Sequence, residues 1–393
     1  MSSKKKILLI NSHFGMGGIE SALVNMANEL CEYYDVELFL YYPEGPMKER
    51  LDSRIKIIQP SRAIKALGMS VSEVLASKSV FLILFRIFGA VWSHVFNNRF
   101  PIWIATKLQP KLKGYDLAVA YRQENSKSEL ASGYVRVLDR CVEAEKKAAW
   151  IHFDATFFKE NNIFNRRYYE KIDKVIGVSK AVSEAFKKMN PSLAEKTDYC
   201  YNFFNQDVIL ENAEKNQKTK FPENKFICFS ASRLSKGKGI ERTISAISKT
   251  MHEHKDIMWY IAGDGPQKES IEEAIKKENL ADRIVLLGNL KNPYPYIKNS
   301  DLFLLTSYHE AAPMVYMEAK ILKVPVFSTR TLSVDELLKD GTEDFVCENT
   351  EEAIRDKFRE IAENRAAVAQ AKKHLEEYSV NNKASLEKIE NWI

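Results

Sequence analysis

DLFLLTSYHEAAPMVYMEAKILKVPVFST, residues 301–329, places an apolar run, a helix-like segment and a second apolar run in succession. DLFLLTS (301–307) and VPVFST (324–329) read as strands buried on both faces. The segment between them reads as the helix that returns the chain to a parallel neighbour. The same stretch poses a charge problem. Glu310 and Glu318 stand among apolar residues, with Pro313 between them. A carboxylate in such surroundings is costly unless something donates hydrogen bonds to it.

Moving outward, the pattern repeats over most of the chain. FICFSAS (226–232), MWYIAG (258–263) and RIVLLG (283–288) precede that stretch, with helical patterns between them. An earlier series runs KILLIN (6–11), VELFLYY (36–42), YDLAVAY (115–121), AAWIHF (148–153) and KVIGVS (174–179). A helix is expected near Glu20–Cys31, and another over 179–189 with Ser179 as N-cap. The polar stretch 211–225 reads as a surface connection. Two alternating series imply an α/β protein of two doubly wound parallel-sheet domains. Such sheets bind ligands at the carboxyl ends of their strands, so an interdomain cleft is expected.

Four loops carry candidate chemistry. HFGMGGIES (13–21) follows a strand and opens a helix, where backbone N–H groups favour an anion. Gly15 and Gly17 fit G-x-G, but Glu20 occupies the third glycine position, so this is no dinucleotide fingerprint. SRLSKGKGIE (232–241) puts Arg233 and Lys238 at a strand's carboxyl end, where two cations can neutralise a diphosphate. IAGDGPQKE (261–269) is a strand, a turn and a helix; Gly263 and Gly265 either admit a ligand or simply make the turn. In the fourth loop, Pro313 suits the first helical position, leaving the N–H groups of Met314 and Val315 as donors for phosphate. A ribose offers two vicinal hydroxyls to one carboxylate. Both Glu310 and Glu318 are therefore expected to meet hydroxyls of a sugar nucleotide; the bland alternative for Glu318 is a buried pair with a lysine.

Composition narrows the class. Apolar residues make up 45% and charged residues 28%, as in globular proteins. The five cysteines are widely spaced without a CxxC pair, which argues for a reducing compartment and against a disulfide framework or structural zinc. No secretory h-region follows the basic start. The net charge of +5 is uneven. Residues 1–200 hold 30 Lys+Arg against 22 Asp+Glu, and residues 201–393 hold 28 against 31. Residues 54–113 alone hold ten basic residues and one acidic one, Glu73. They also contain SVFLILFRIFGAVWSHVF (79–96) and FPIWIATKL (100–108), neither a clean run of the roughly 20 residues that span a bilayer. Such a segment fits an anionic membrane surface; otherwise it is a core helix with a basic outer face. Nucleic-acid binding is disfavoured, because the basic excess lies beside aliphatic residues.

Taken together, FGMGGIES, AAWIHFD, IGVSKAVSE, YNFFN, SASRLSKGKG, IAGDGP and residues 300–329 resemble glycosyltransferase family 4, retaining enzymes of GT-B fold. The resemblance covers nearly the whole chain. Its most specific mark is the glutamate pair Glu310 and Glu318. It implies that Arg233 and Lys238 bind the donor diphosphate, that Glu310 contacts the donor sugar, and that Glu318 contacts the ribose. It further implies that amides of Ala312, Pro313-Met314 and Val315 hold phosphate or sugar oxygens, with Gly17, Gly18 and Gly263 also near the donor. His152 matches a histidine beside the reacting sugar and acceptor. Asn202 matches the asparagine where the chain enters the second domain. Two departures stand out. Ala311 and Ala312 replace the Gly and aromatic that often follow the first glutamate, and Leu332 and Ser333 replace paired glycines ahead of Glu336.

The implied architecture is an acceptor domain over 1–201, a donor domain over 202–375, and a tail over 376–393 returning to the first domain. The implied reaction moves a sugar, from a UDP-sugar, to an acceptor hydroxyl with retention. The acceptor is expected to be a lipid-linked glycan in cell-surface polysaccharide synthesis. No DxD motif or metal-ligand cluster is evident, so neither metal nor cofactor is expected. The expected location is cytoplasmic, peripheral on the inner face of the membrane. Rival readings are a GT-B sugar-nucleotide epimerase, a sugar-nucleotide sensor, and a transferase acting on a protein.

Overall fold

The computed structural model describes residues 4–155, 159–215, 220–339 and 342–393. The chain divides into two compact units, Met1–Phe204 with Asn382–Ile393, and Asn205–Asn381. The divisions fall a few residues beyond the expected 202 and 376.

The first unit is built on seven strands: β1 (Lys6–His13), β2 (Asp35–Tyr42), β3 (Lys56–Ile58), β4 (Leu112–Ala120), β5 (Val142–Ile151), β6 (Lys174–Gly177) and β7 (Thr197–Tyr199). Their order is β3-β2-β1-β4-β5-β6-β7, with every pair parallel. Ile7, Leu8, Leu9 and Ile10 are all fully buried, as a strand covered on both faces requires. The strand order reverses between β1 and β4, so the loops after His13 and Ala120 flank the switch point where such sheets receive ligands. Residues 382–393 belong to this unit through specific contacts. The Asn382 side-chain amide donates to Glu29 Oε2 and to Phe204 O, each at 3.0 Å. Lys388 pairs with Asp198 at 2.8 Å, and Trp392 meets Trp150 edge-on at 5.7 Å.

The basic stretch expected at a membrane forms four helices, Arg62–Gly68, Val71–Ala76, Val80–Val95 and Arg99–Lys107. The alternative of a core helix with a basic outer face does not describe Val80–Val95. Leu82, Phe85, Gly89 and Ser93 point inward, while the outward face is apolar. Its one arginine turns in: Arg86 Nη1 donates to the carbonyls of Leu67 at 3.0 Å and Ala66 at 3.3 Å. These carbonyls end the Arg62–Gly68 helix, where a cation is favoured.

The second unit carries six strands, β8 (Phe226–Ala231), β9 (Ile257–Ala262), β10 (Ile284–Gly288), β11 (Leu302–Leu305), β12 (Val326–Thr329) and β13 (Val346–Cys347). Their order is β10-β9-β8-β11-β12-β13, again all parallel. The switch point lies between β8 and β11. Inside, Trp259 Nε1 donates to Ser230 Oγ at 2.9 Å, and that hydroxyl donates to Leu304 O at 2.7 Å. The buried polar atoms of neighbouring strands thus satisfy each other.

Candidate functional site

In the second unit, the loops leaving β8 and β11 meet at the switch point. Gly239 has φ of 66°, and a Cβ there would lie 2.4 Å from Thr306 O. Only glycine fits both the left-handed backbone and this approach. Tyr308 N donates to Gly237 O at 2.9 Å, and Thr243 and Thr306 share a hydroxyl–hydroxyl bond. This stitching brings Lys238 to Glu310. Lys238 Nζ lies 2.6 Å from Glu310 Oε1, and Ser307 Oγ donates to the same oxygen at 2.7 Å. The Glu310 side chain is only 12% exposed and Lys238 28%, so water screens the pair incompletely.

Arg242 braces the loop from behind. Its guanidinium donates to Thr306 O at 2.9 Å and Asn349 Oδ1 at 2.8 Å, and stacks 3.9 Å over the Tyr308 ring. Asn349 in turn donates to Tyr308 O at 3.0 Å. Neither Arg242 nor Asn349 was singled out from the sequence. Both lie outside the motifs, and no local pattern marks them.

Arg233 follows β8 and is exposed, one residue before fully buried Leu234. The GDGP turn supports its backbone. Ser232 N donates to Ala262 O, Leu234 N to Asp264 O, and Gln267 N to Leu234 O, all between 2.9 and 3.0 Å. A Cβ on Gly263 would sit 1.9 Å from Ser232 O. Gly263 thus packs closely beneath the Arg233 loop.

The helix after the Glu310 loop is Met314–Ile321. Pro313 is its N-cap, with φ −63° and ψ 126°, rather than its first helical residue. The ring fixes φ, while ψ stays extended and the helix turns only from Met314. The N–H groups of Met314 and Val315 lie in the first turn, where no i−4 carbonyl can accept them. Glu318 is 8% exposed, and the Tyr294 hydroxyl donates to its Oε1 at 3.2 Å. Lys320, the nearest lysine in sequence, donates to Leu337 O at 3.3 Å and lies over the Tyr378 ring.

In the first unit, Gly17 caps the helix Gly18–Leu30 with extended backbone. A carboxylate of the chain lies against this glycine. A Cβ on Gly17 would touch Glu20 Oε2 at 2.4 Å, so Glu20 folds back over the helix start. Arg122, just beyond β4, donates to Glu20 Oε1 at 2.8 Å. His13 Nδ1 lies 4.0 Å from the same carboxylate but accepts the Gly15 N–H at 2.8 Å. That nitrogen is an acceptor, so its contact with Glu20 is no ion pair. Sequence reasoning saw Glu20 only as a missing glycine.

His152 follows β5. Its backbone N–H donates to Gln123 Oε1 at 3.2 Å, and its ring packs 4.9 Å from Tyr121. Nε2 is buried with no hydrogen-bond partner among the described residues. Burial, reinforced by the Arg122 charge, pushes its pKa down to about 3. The imidazole is neutral at physiological pH and keeps a nitrogen for a further hydrogen bond.

Among the described residues one group has metal-ligand proximity, Cys31, Glu32 and Asp52. Arg54 pairs with both carboxylates and holds the Asp52 carboxyl down at about 2. That guanidinium satisfies both carboxylates. All five cysteines are buried and free.

Comparison with known proteins places the chain beside glycosyltransferases. The chain is 29% identical over 166 residues to an uncharacterized glycosyltransferase of Methanocaldococcus jannaschii, 41% of each chain. It is 28% identical over 182 residues to N-acetyl-alpha-D-glucosaminyl L-malate synthase of Bacillus anthracis, 46% of this chain and 47% of that one. The chain thus spans less than half the length of these curated relatives. The crystal structure of Anabaena HepE in complex with UDP and glucose aligns with a TM-score of 0.70 at 18% identity over 98% of each chain. At that identity the likeness is one of fold, and the fold is α/β of GT-B type with a seven-stranded and a six-stranded parallel sheet. Residues 211–381, nearly all of the second unit, match the family model described as Glycosyl transferases group 1.

Proposed function

We propose that the chain is a retaining glycosyltransferase that moves a sugar from a UDP-sugar to an acceptor hydroxyl, carried on a lipid-linked glycan. The observation that carries this reading is the Lys238–Glu310 contact at the switch point of the second sheet, beside the first turn of the Met314–Ile321 helix. A diphosphate there meets a cation, Arg233 on the same loop, and the unpaired amides of Met314 and Val315. As the diphosphate takes up Lys238, Glu310 is released to accept hydrogen bonds from the donor sugar. Glu318, oriented by Tyr294, accepts from ribose hydroxyls.

In the reaction the bond between the anomeric carbon and the diphosphate breaks, and its electron pair leaves with the nucleotide. The acceptor oxygen bonds to the same face of that carbon, and its proton passes to a phosphate oxygen of the leaving group. Arg233, Lys238 and the helix amides offset the growing negative charge, which in this reading needs neither divalent metal nor cofactor. His152 is assigned to the acceptor side, where a neutral imidazole accepts or donates one hydrogen bond. The test is a panel of UDP- and GDP-sugars with membrane lipid extract, in the presence and absence of EDTA. A glycolipid retaining the donor's anomeric configuration, formed equally with EDTA, is the expected product. Turnover of donor alone to an isomeric sugar nucleotide, or an inverted product, overturns the reading.

A further inference from the structure

The outward face of the Val80–Val95 helix is a continuous apolar stripe. Leu84, Val91 and Val95 are 62%, 59% and 63% exposed, and their spacing places them on one side of the helix. The Arg99–Lys107 helix extends the surface with Phe100 and Trp103, whose rings stack at 6.0 Å. Phe100 also packs 4.9 Å from Trp92, so the two helices share one aromatic seam. Isolated exposed apolar residues are ordinary, but a contiguous face of this length marks an interaction surface. The helix's one arginine is drawn inward to the Ala66 and Leu67 carbonyls, which leaves the stripe without an arginine or a lysine.

We propose that this face docks the first unit on an anionic lipid bilayer, lying flat in the interface rather than crossing it. A 16-residue helix is on the order of 24 Å long, and no described helix is long and apolar enough to span a membrane. Charge selects the bilayer over a second copy of the chain. Lys78 leads into the helix, and Lys107 lies 5.9 Å from the Trp103 ring, while Arg99 is half-buried over the Phe164 ring. The surrounding residues 54–113 are ten basic to one acidic, and of the ten Arg54 is paired with Glu32 and Asp52 and Arg86 is turned inward. Two copies pressed face to face would bring these cations together, whereas phosphatidylglycerol or another anionic headgroup pairs with them. Aromatic rings beside cations suit the headgroup level, with the aliphatic stripe beneath. This inference is independent of the transferase reading, since it uses no residue of the donor site.

The experiment is flotation of the full chain with vesicles of phosphatidylcholine alone or mixed with phosphatidylglycerol. The protein should float with the mixed vesicles, and high salt should release it. Leu84→Glu with Val91→Glu should reduce partitioning at least about tenfold, and Lys107→Glu about fivefold. Both alter exposed side chains, and an unchanged circular-dichroism melt checks the fold. Lys78→Glu is a second charge variant should Lys107→Glu fold poorly. Failure to float with mixed vesicles, or flotation undiminished in Leu84→Glu/Val91→Glu, overturns the proposal. So does a dimer that these two substitutions dissociate, because it would assign the face to a second copy. UDP binding, measured in parallel, reports on the transferase reading separately.

Discussion

Lys238 Nζ and Glu310 Oε1 lie 2.6 Å apart although 72 residues separate them in sequence. The pair joins the β8 loop to the β11 loop and joins the two chemical roles proposed for them. Lys238→Ala and Arg233→Ala should each lower kcat by about 10²- to 10³-fold, the effect of deleting one preorganised donor to a developing anion. Glu310→Gln should instead spare UDP affinity and lower kcat/KM for the intact sugar nucleotide about tenfold or more, as expected for weakening a charge-assisted bond to the sugar. Steady-state kinetics beside UDP calorimetry separates these. Near-normal turnover in Lys238→Ala would remove the leaving-group assignment.

Glu318 depends on Tyr294 in a comparable way. The tyrosine hydroxyl donates to Glu318 Oε1 at 3.2 Å, and both groups are buried. Tyr294→Phe keeps the ring and removes the hydroxyl that donates to Glu318. The expected cost is about 1 kcal/mol of stability, at the weak end for a bond to a charged group because it is long. If Glu318 binds ribose, UDP affinity should fall as well, because the carboxylate loses the partner that orients it. Urea denaturation and calorimetry on the same sample test both, and a variant matching the wild type in both would detach Tyr294 from the site.

Strands buried on both faces were legible in the sequence, because runs such as KILLIN and FICFSAS are apolar, too short for helices, and recur in alternation with helical patterns. Three of the four edge strands were not. Lys56–Ile58, Thr197–Tyr199 and Val346–Cys347 are two or three residues long and pair on one side only, so no periodicity marks them. β5 begins six residues before the apolar run that revealed it, through the mostly exposed stretch Val142–Lys147. The site divides similarly. Lys238 and Glu310 were singled out by position on their loops, and Glu318 on the segment that forms the Met314–Ile321 helix. What satisfies each of them was not, because Ser307, Tyr294 and Arg242 act through the register of the sheet. The carboxylates of the opening puzzle are already partnered by an ammonium and two hydroxyls. Glu20 was the reverse case: its position was seen, but its fold-back onto the helix start and its pairing with Arg122 needed the third dimension.

The glycines of the second unit predict a sharp contrast. Gly263 has φ of 143°, and an added Cβ would meet Ser232 O at 1.9 Å; Gly237 has open space around the same position. Gly263→Ala should destabilise by about 2 kcal/mol or more, through backbone strain and displacement of the Arg233 loop. Gly237→Ala should stay within about 0.5 kcal/mol. Thermal melts rank the two, and residual activity in Gly263→Ala should fall further than its stability loss explains. Equal melts would mean that the turn relaxes without cost.

His152 makes the pH behaviour of the first unit testable. Its pKa in the fold is about 3, below the roughly 6.5 of an unfolded histidine. Between those values the unfolded chain binds the proton and the folded chain does not. The stability from keeping the ring neutral is therefore complete above about pH 6.5 and drains away as pH falls towards 3. His152→Gln keeps a hydrogen-bonding side chain without a titration and should flatten that part of the stability profile. Folded His152 should show no imidazole titration by NMR between pH 5 and 8, and an activity decline in that range should persist in the glutamine variant at its reduced rate. A ring that titrates near 6.5 in the folded protein would mean that water reaches it, and would withdraw the neutral imidazole from the acceptor side.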